Sequence, residues 1–269
     1  MELEYTVFDP TENITLLVTS PVPRQMQPQV AGRLLELEPD GEQVGFLEYC
    51  GTAQPRLQMM GGEFCGNATM SLGAWLCHRE KQPLGTTEEF LLEVSGTDAP
   101  VPCSVTPVPH CSLGTVSMPL PEKIEQRTFP FGDGEIELPV VFLPGICHII
   151  APNGTVQRHQ AENALRTWAD RLPCQAAGLL LLDQEQMHFD PLVYVKDTGT
   201  FVWERGCGSG SAAVGCWFTA MRQADQCLSL KQPGGTIAVV TTWDGSAVTG
   251  LSISGTVKIG KTKTVDITI

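Results

Sequence analysis

Two segments of this chain, 142 residues apart, carry the same pattern, and that repeat constrains the fold more than anything else in the sequence. Cys65-Gly66 is followed by Thr69, Gly73 and Trp75; Cys207-Gly208 is followed by Ser211, Gly215 and Trp217, so a hydroxyl, a glycine and a tryptophan recur at +4, +8 and +10. A glutamate precedes each cysteine, Glu63 by two residues and Glu204 by three. Both segments, Cys65 to Glu80 and Cys207 to Arg222, are rich in small and apolar residues with a thin polar face, which predicts helices buried nearly all round. Since the offset is about half the 269-residue chain, two homologous halves are implied, each with strands wrapped around one buried helix that begins at a Cys-Gly.

A cysteine at a helix start matters twice. The free N–H groups and partial positive charge there favour a thiolate, so the thiol pKa is expected to fall from about 8.5 toward neutrality. A neighbouring glycine lets a ligand approach the backbone, and unpaired N–H groups suit a carboxylate. If the halves are related by pseudo-twofold symmetry, the two helix starts are expected to face one another across a cleft. Two thiols on opposite sides of one small anion suit inversion of a stereocentre: one thiolate takes the α-proton and the opposite thiol returns a proton to the other face. Charge developing on the substrate carboxylate is stabilised by helix-terminal N–H groups. Asn67 is placed to add a polar contact to the substrate.

Composition removes several other functions. Seventeen Lys and Arg against 30 Asp and Glu give a net charge of −13, and no basic cluster is present to neutralise phosphates, so neither nucleic acid nor an anionic membrane is an expected partner. The richest apolar stretch, Leu138 to Ala151, contains Pro139, Pro144 and Gly145 and is too short to span a bilayer. The first residues lack the basic flank and apolar run of a signal peptide, so the expected location is cytoplasmic. Ten cysteines without a single Cys-x-x-Cys pair write no local zinc ribbon or thioredoxin-like site. In a chain of this length they read as buried small hydrophobes rather than disulfide staples. Gly208-x-Gly210-x-x-Ala213 superficially matches a dinucleotide fingerprint but lacks the second strand ending in an acid.

Strands are expected at 3–8, 14–18, 43–49, 90–95, 101–106 and 113–118, then at 136–142, 145–151, 177–182, 191–196, 199–203, 236–243, 247–254, 256–259 and 264–269. A turn is expected at residues 9–13, a short helix at 24–36 interrupted by Pro28, and a surface helix at 156–169.

Gly61-Gly62-Glu63-Phe64-Cys65-Gly66-Asn67-Ala68 and Trp203-Glu204-Arg205-Gly206-Cys207-Gly208-Ser209-Gly210 resemble the two cysteine motifs of the cofactor-independent diaminopimelate epimerase and proline racemase superfamily. The likeness covers essentially the whole chain. It implies an α+β, duplicated diaminopimelate-epimerase-like fold: two pseudo-symmetric domains, each with a mostly antiparallel sheet around a central helix. The expected division is 1–117 plus 260–269, carrying Cys65, and 118–259, carrying Cys207, with the active site between them and the last strand completing the first domain. Cys65 and Cys207 become the acid/base pair. Asn13 resembles the early asparagine that touches substrate. Glu204 and Arg205 resemble the pair that holds the amino-acid head group, with Glu204 meeting the α-ammonium. His148 resembles the histidine of an Asn-Pro-His turn. Gly66, Asn67, Gly208 and Ser209 at the helix starts complete the substrate-binding set. Neither pyridoxal phosphate nor a metal is implied.

The departures bear on substrate. The turn reads Ile146-Cys147-His148, without the asparagine that grips the distal end of diaminopimelate, and Cys207 follows Gly206 without the usual insert. Both features resemble more closely the amino-acid racemases, particularly the histidine racemases that feed opine metallophore synthesis; an acid near Asp190 would suit a basic side chain. A diaminopimelate epimerase and a catalytically silent binder of small carboxylates are the alternatives. Family members are often dimers, so a homodimer stays open.

Overall fold

The structure, a computed structural model, describes residues 1–49, 51 and 54–268. They form two compact units, residues 1–117 with 254–269 and residues 118–253. The second stretch of the first unit begins at Ser254, where the expected division had residue 260, and β1 pairs with it from Val257 onward.

In the first unit β1 (Glu2–Pro10) runs antiparallel to β2 (Thr15–Val18), and a tight turn at Thr11 and Glu12, both with positive φ, joins them. Helix α1 (Gln27–Leu37) crosses over to β3 (Gln43–Glu48), which lies parallel to β2, and β4 (Arg56–Met59) returns antiparallel. Pro28 sits in the first turn of α1, where its missing N–H is no loss, so it starts the helix rather than interrupting it. Central helix α2 (Gly66–Arg79) follows, then the antiparallel strands β5 (Glu88–Leu92), β6 (Val101–Val108) and β7 (Cys111–Ser117).

The second unit repeats the plan. Strand β8 (Lys123–Phe131) pairs with β9 (Gly134–Leu143), which pairs antiparallel with β10 (Ile146–Pro152). Helix α3 (Arg158–Ala169) crosses over to β11 (Ala176–Asp183), parallel to β10, and β12 (His188–Val195) returns antiparallel, flanked by the short β13 (Thr200–Trp203). Central helix α4 (Gly208–Arg222) is followed by the antiparallel pair β14 (Gln226–Gln232) and β15 (Gly235–Trp243). The three closing strands expected from sequence are one, β16 (Val248–Asp266), whose later part pairs with β1.

In each unit the crossover helix seals one face of the sheet. Val30 and Leu34 of α1 pack over Leu16, Val44 and Phe46; Leu165 and Trp168 of α3 pack over Leu179 and Leu192, with the Trp168 ring stacked on Phe129 at 4.9 Å. The central helices are the buried ones. Every residue of α2 from Gly66 to Ala74 is buried, as is most of α4. The +8 glycines explain how a helix gets so close to a sheet: a Cβ on Gly73 would fall 2.7 Å from Val105, and one on Gly215 2.5 Å from Val239. The +4 hydroxyls also recur in role, Thr69 donating to the Cys65 carbonyl at 2.7 Å and Ser211 to that of Cys207 at 2.8 Å.

One expectation fails outright. Cys147 and Cys174 form a disulfide, their Cα atoms 6.1 Å apart, tying β10 to the segment entering β11. Nothing in the sequence distance of 27 residues signalled that the crossover would return the chain to this point. No helix among the described residues is long and apolar enough to cross a membrane.

Candidate active site

Both singled-out cysteines are helix caps. Cys65 is the N-cap of α2 in extended backbone (φ −133°, ψ 112°), and its Sγ accepts from the Ala68 N–H at 3.4 Å. Cys207 is the N-cap of α4 (φ −94°, ψ 106°), and its Sγ accepts from the Gly210 N–H at 3.2 Å. Ala68 and Gly210 hold the same station, three residues past the cysteine. Each sulfur thus stands where an N-cap side chain normally satisfies a free donor, with Gly66 and Gly208 buried as the first helical residue.

Around Cys65 the first unit gathers a polar network. The thiol donates to Gln43 Oε1 at 3.1 Å. Gln43 Nε2 donates to Asn13 Oδ1 at 2.7 Å and to Thr15 Oγ1 at 2.8 Å, and Asn67 Nδ2 donates to the same Asn13 oxygen at 2.9 Å. Asn13 Nδ2 in turn donates to Glu42 Oε2 at 2.5 Å. The β1–β2 turn delivers Asn13 and the head of β3 delivers Gln43, so residues far apart in sequence converge on one helix start. Asn13 and Asn67, each expected at the substrate, are hydrogen-bonded to one another; Glu42 and Gln43 were missed, and only their place at the head of a predicted strand could have drawn attention to them.

Around Cys207 the second unit gathers Glu204, Ser209 and His148. The thiol is in hydrogen-bond contact with the Glu204 carboxylate, and Ser209 Oγ lies 3.6 Å from its sulfur. The Cys207 N–H donates to Gln232 Oε1 at 2.6 Å, and Gln232 Nε2 donates to Ser211 Oγ at 2.9 Å, fixing the cap from beneath. Gln232 ends a strand that the sequence reading did not assign.

Four expectations meet a different geometry here. Helix placement was expected to bring both thiols toward neutrality, but Cys207 is held well above the ordinary thiol range. Burial is the largest cause, followed by the Glu204 carboxylate; the contacts from Ser209 and the Gly210 N–H act downward and do not win. Burial likewise raises the Glu204 carboxyl, while its hydrogen bond from Cys207 lowers it. Glu204, expected at the α-ammonium, is therefore engaged with the thiol, and Arg205 beside it is exposed. His148, expected at the substrate, is fully enclosed, and burial depresses its pKa to about 3. It reaches Ser209 instead, Nε2 to Oγ at 2.9 Å. Asp190 lies in an ion pair with Arg158 at 3.1 Å, so it is not a free acid. Among the described residues no group of three His, Cys, Asp or Glu side chains is arranged to hold a metal.

The family model described as the histidine racemase CntK N-terminal domain matches residues 2–265. A histidine racemase of Staphylococcus aureus is 28% identical, over 89% of this chain and 88% of its own length. One from Fusobacterium nucleatum is 26% identical, over 96% and 97%. Among solved structures, a hydroxyproline epimerase of Agrobacterium vitis with bound trans-4-hydroxy-L-proline superposes with a TM-score of 0.72 at 13% identity, over 98% of this chain and 92% of that one. A predicted epimerase of Pseudomonas aeruginosa superposes at 0.69, also at 13% identity, over 99% and 100%.

Proposed function

This chain belongs to the family described as the histidine racemase CntK N-terminal domain, within the cofactor-independent proline racemase and diaminopimelate epimerase superfamily, and from that premise we propose that it interconverts L- and D-histidine by a two-thiol mechanism. It is an isomerase, an amino-acid racemase or epimerase. The observation that carries the mechanism is the equivalence of the two caps: each thiol sits at the start of a central helix, accepting from the N–H three residues on.

In the proposed reaction Cys65 and Cys207 serve opposite faces of one α-carbon. A thiolate takes the α-proton, forming an S–H bond and leaving the electron pair delocalised into the carboxylate. The opposite thiol gives its proton to the other face and becomes the thiolate, so the enzyme ends with the two roles exchanged. Burial and Glu204 favour the protonated form of Cys207, which suits it to enter as the acid. The helix N-termini of α2 and α4, with their partial positive charge, face the substrate carboxylate in this reaction and stabilise the charge that develops on it. The choice of histidine rests on the family description and on the names of both relatives.

Incubating reduced enzyme with a panel of L-amino acids and diaminopimelate in D₂O, and following the α-proton by NMR, tests this. Exchange is expected with histidine. Exchange confined to diaminopimelate would overturn the substrate, and no exchange with any substrate would overturn the mechanism.

A further inference from the structure

On the reading that Cys207 moves protons, we propose that His148 is a positioning residue that fixes the direction of the Ser209 hydroxyl: the imidazole donates from Nε2–H to Ser209 Oγ, and Ser209 then donates its own O–H to the Cys207 sulfur.

The duplication singles His148 out. In the first unit the parallel pair β2–β3 sets Leu17 opposite Gly45; in the second, β10–β11 sets His148 opposite Gly178 at the same step of the register. Both glycines leave room for the facing side chain, and a Cβ on Gly178 would fall 2.1 Å from His148 Nδ1. One half therefore fills this seat with a leucine and the other with an imidazole. A fully buried imidazole carries a desolvation penalty that leucine does not, so its polar edge needs a use. That use is Ser209, two residues past Cys207. Asn67, two residues past Cys65, is served by a different partner, Asn13.

The direction of the hydrogen bond follows from the other ring nitrogen. Nδ1 is buried against Gly178 and has no hydrogen-bond partner among the described residues. A neutral ring carries one proton, on Nδ1 or on Nε2. On Nδ1 it would leave a buried N–H without an acceptor, which is rarer in proteins than an unused acceptor. On Nε2 it meets Ser209 Oγ at 2.9 Å. The serine oxygen is then the acceptor on that side, and its own hydrogen is free to turn toward the sulfur at 3.6 Å. This donor supports the thiolate that remains once Cys207 has given up its proton, opposing the repulsion from Glu204.

Long-range ¹H–¹⁵N correlation spectra of the intact ¹⁵N-histidine-labelled protein read the tautomer directly, with His148 assigned through its contacts to the Gly178 α-protons. The Nε2–H form is expected; a proton on Nδ1, or on both nitrogens, overturns the proposal. This readout holds whatever amino acid the enzyme acts on, so it separates from failure of the substrate assignment. A second readout is the rate of Cys207 alkylation at fixed pH in a C65S background. His148→Leu and Ser209→Ala are expected to slow it about tenfold or more, the loss that removing one hydrogen bond to a charged group supports. His148→Gln keeps an N–H donor and is expected to restore the rate to within about twofold. An unchanged rate in Ser209→Ala, or equal slowing in the Gln and Leu variants, overturns the proposal.

Discussion

Gly73 and Gly215 hold the same station in their helices, eight residues past the capping cysteine, and each lies against a valine so closely that a methyl group could not be added without displacement. Alanine there would gain about 1 kcal/mol of helix propensity, but overpacking costs about 1–3 kcal/mol. We expect Gly73→Ala and Gly215→Ala to destabilise the protein in urea titrations. The control is Gly32→Ala in α1, where a Cβ meets nothing within 4 Å and the change should stabilise by up to about 1 kcal/mol. Stabilisation at all three positions would show that the helices are not packed as described.

Cys65→Ser and Cys207→Ser should each reduce racemisation by about 10²-fold or more, since each removes one of two proton-transfer groups. Stopped-time assays on chiral HPLC, starting from each enantiomer, give the comparison. A single variant retaining most of the turnover would leave one base sufficient.

His148 makes stability depend on pH. Its folded pKa is depressed to about 3 from an ordinary value near 6.5, so the unfolded chain binds the extra proton between those limits. The stabilisation is full above pH 6.5 and is lost as pH falls toward 3, at roughly 1.4 kcal/mol per unit. Between pH 7 and pH 5 the protein should lose about 2 kcal/mol more than His148→Leu does, as measured by urea unfolding. Parallel curves for the two proteins would mean that the imidazole is not enclosed.

Asn13→Ala removes the oxygen shared by Asn67 and Gln43. The expected result is a loss of about 1–3 kcal/mol of stability together with a lower kcat, because Gln43 is also the acceptor of the Cys65 thiol. Unchanged kcat would mean that the network does not position that thiol.

The two central helices, their caps and the doubled plan were legible because they rest on residue types that repeat at fixed spacing. Other parts needed three-dimensional information. Strand β8 pairs with β9 and buries only Phe129 fully, its other side chains being exposed or half-buried, so it shows no apolar alternation. Strand β14 does alternate, buried and exposed residue by residue, but its polar buried ends, Gln226 and Gln232, mask the pattern. Gly250, Gly255 and Gly260 look like breaks yet lie inside β16. At Gly255 and Gly260 a Cβ would fall 3.0 Å from Thr11 Oγ1 and from the Val7 carbonyl oxygen. Gln43 reaches Cys65 only because β3 lies parallel to β2, and the thiol shift at Cys207 depends on burial and on where Glu204 turns. Neither quantity is written in spacing.

The return of β16 to β1 also sets a timetable for synthesis. The ribosome makes all of residues 118–253 before it releases the segment that pairs with β1. The second unit can therefore close its sheet while the first, although made earlier, still exposes an unpaired β1 edge that invites pairing with other chains. The nascent protein is most vulnerable in the interval before residues 254–266 emerge, and any change that slows translation through that stretch would lengthen it.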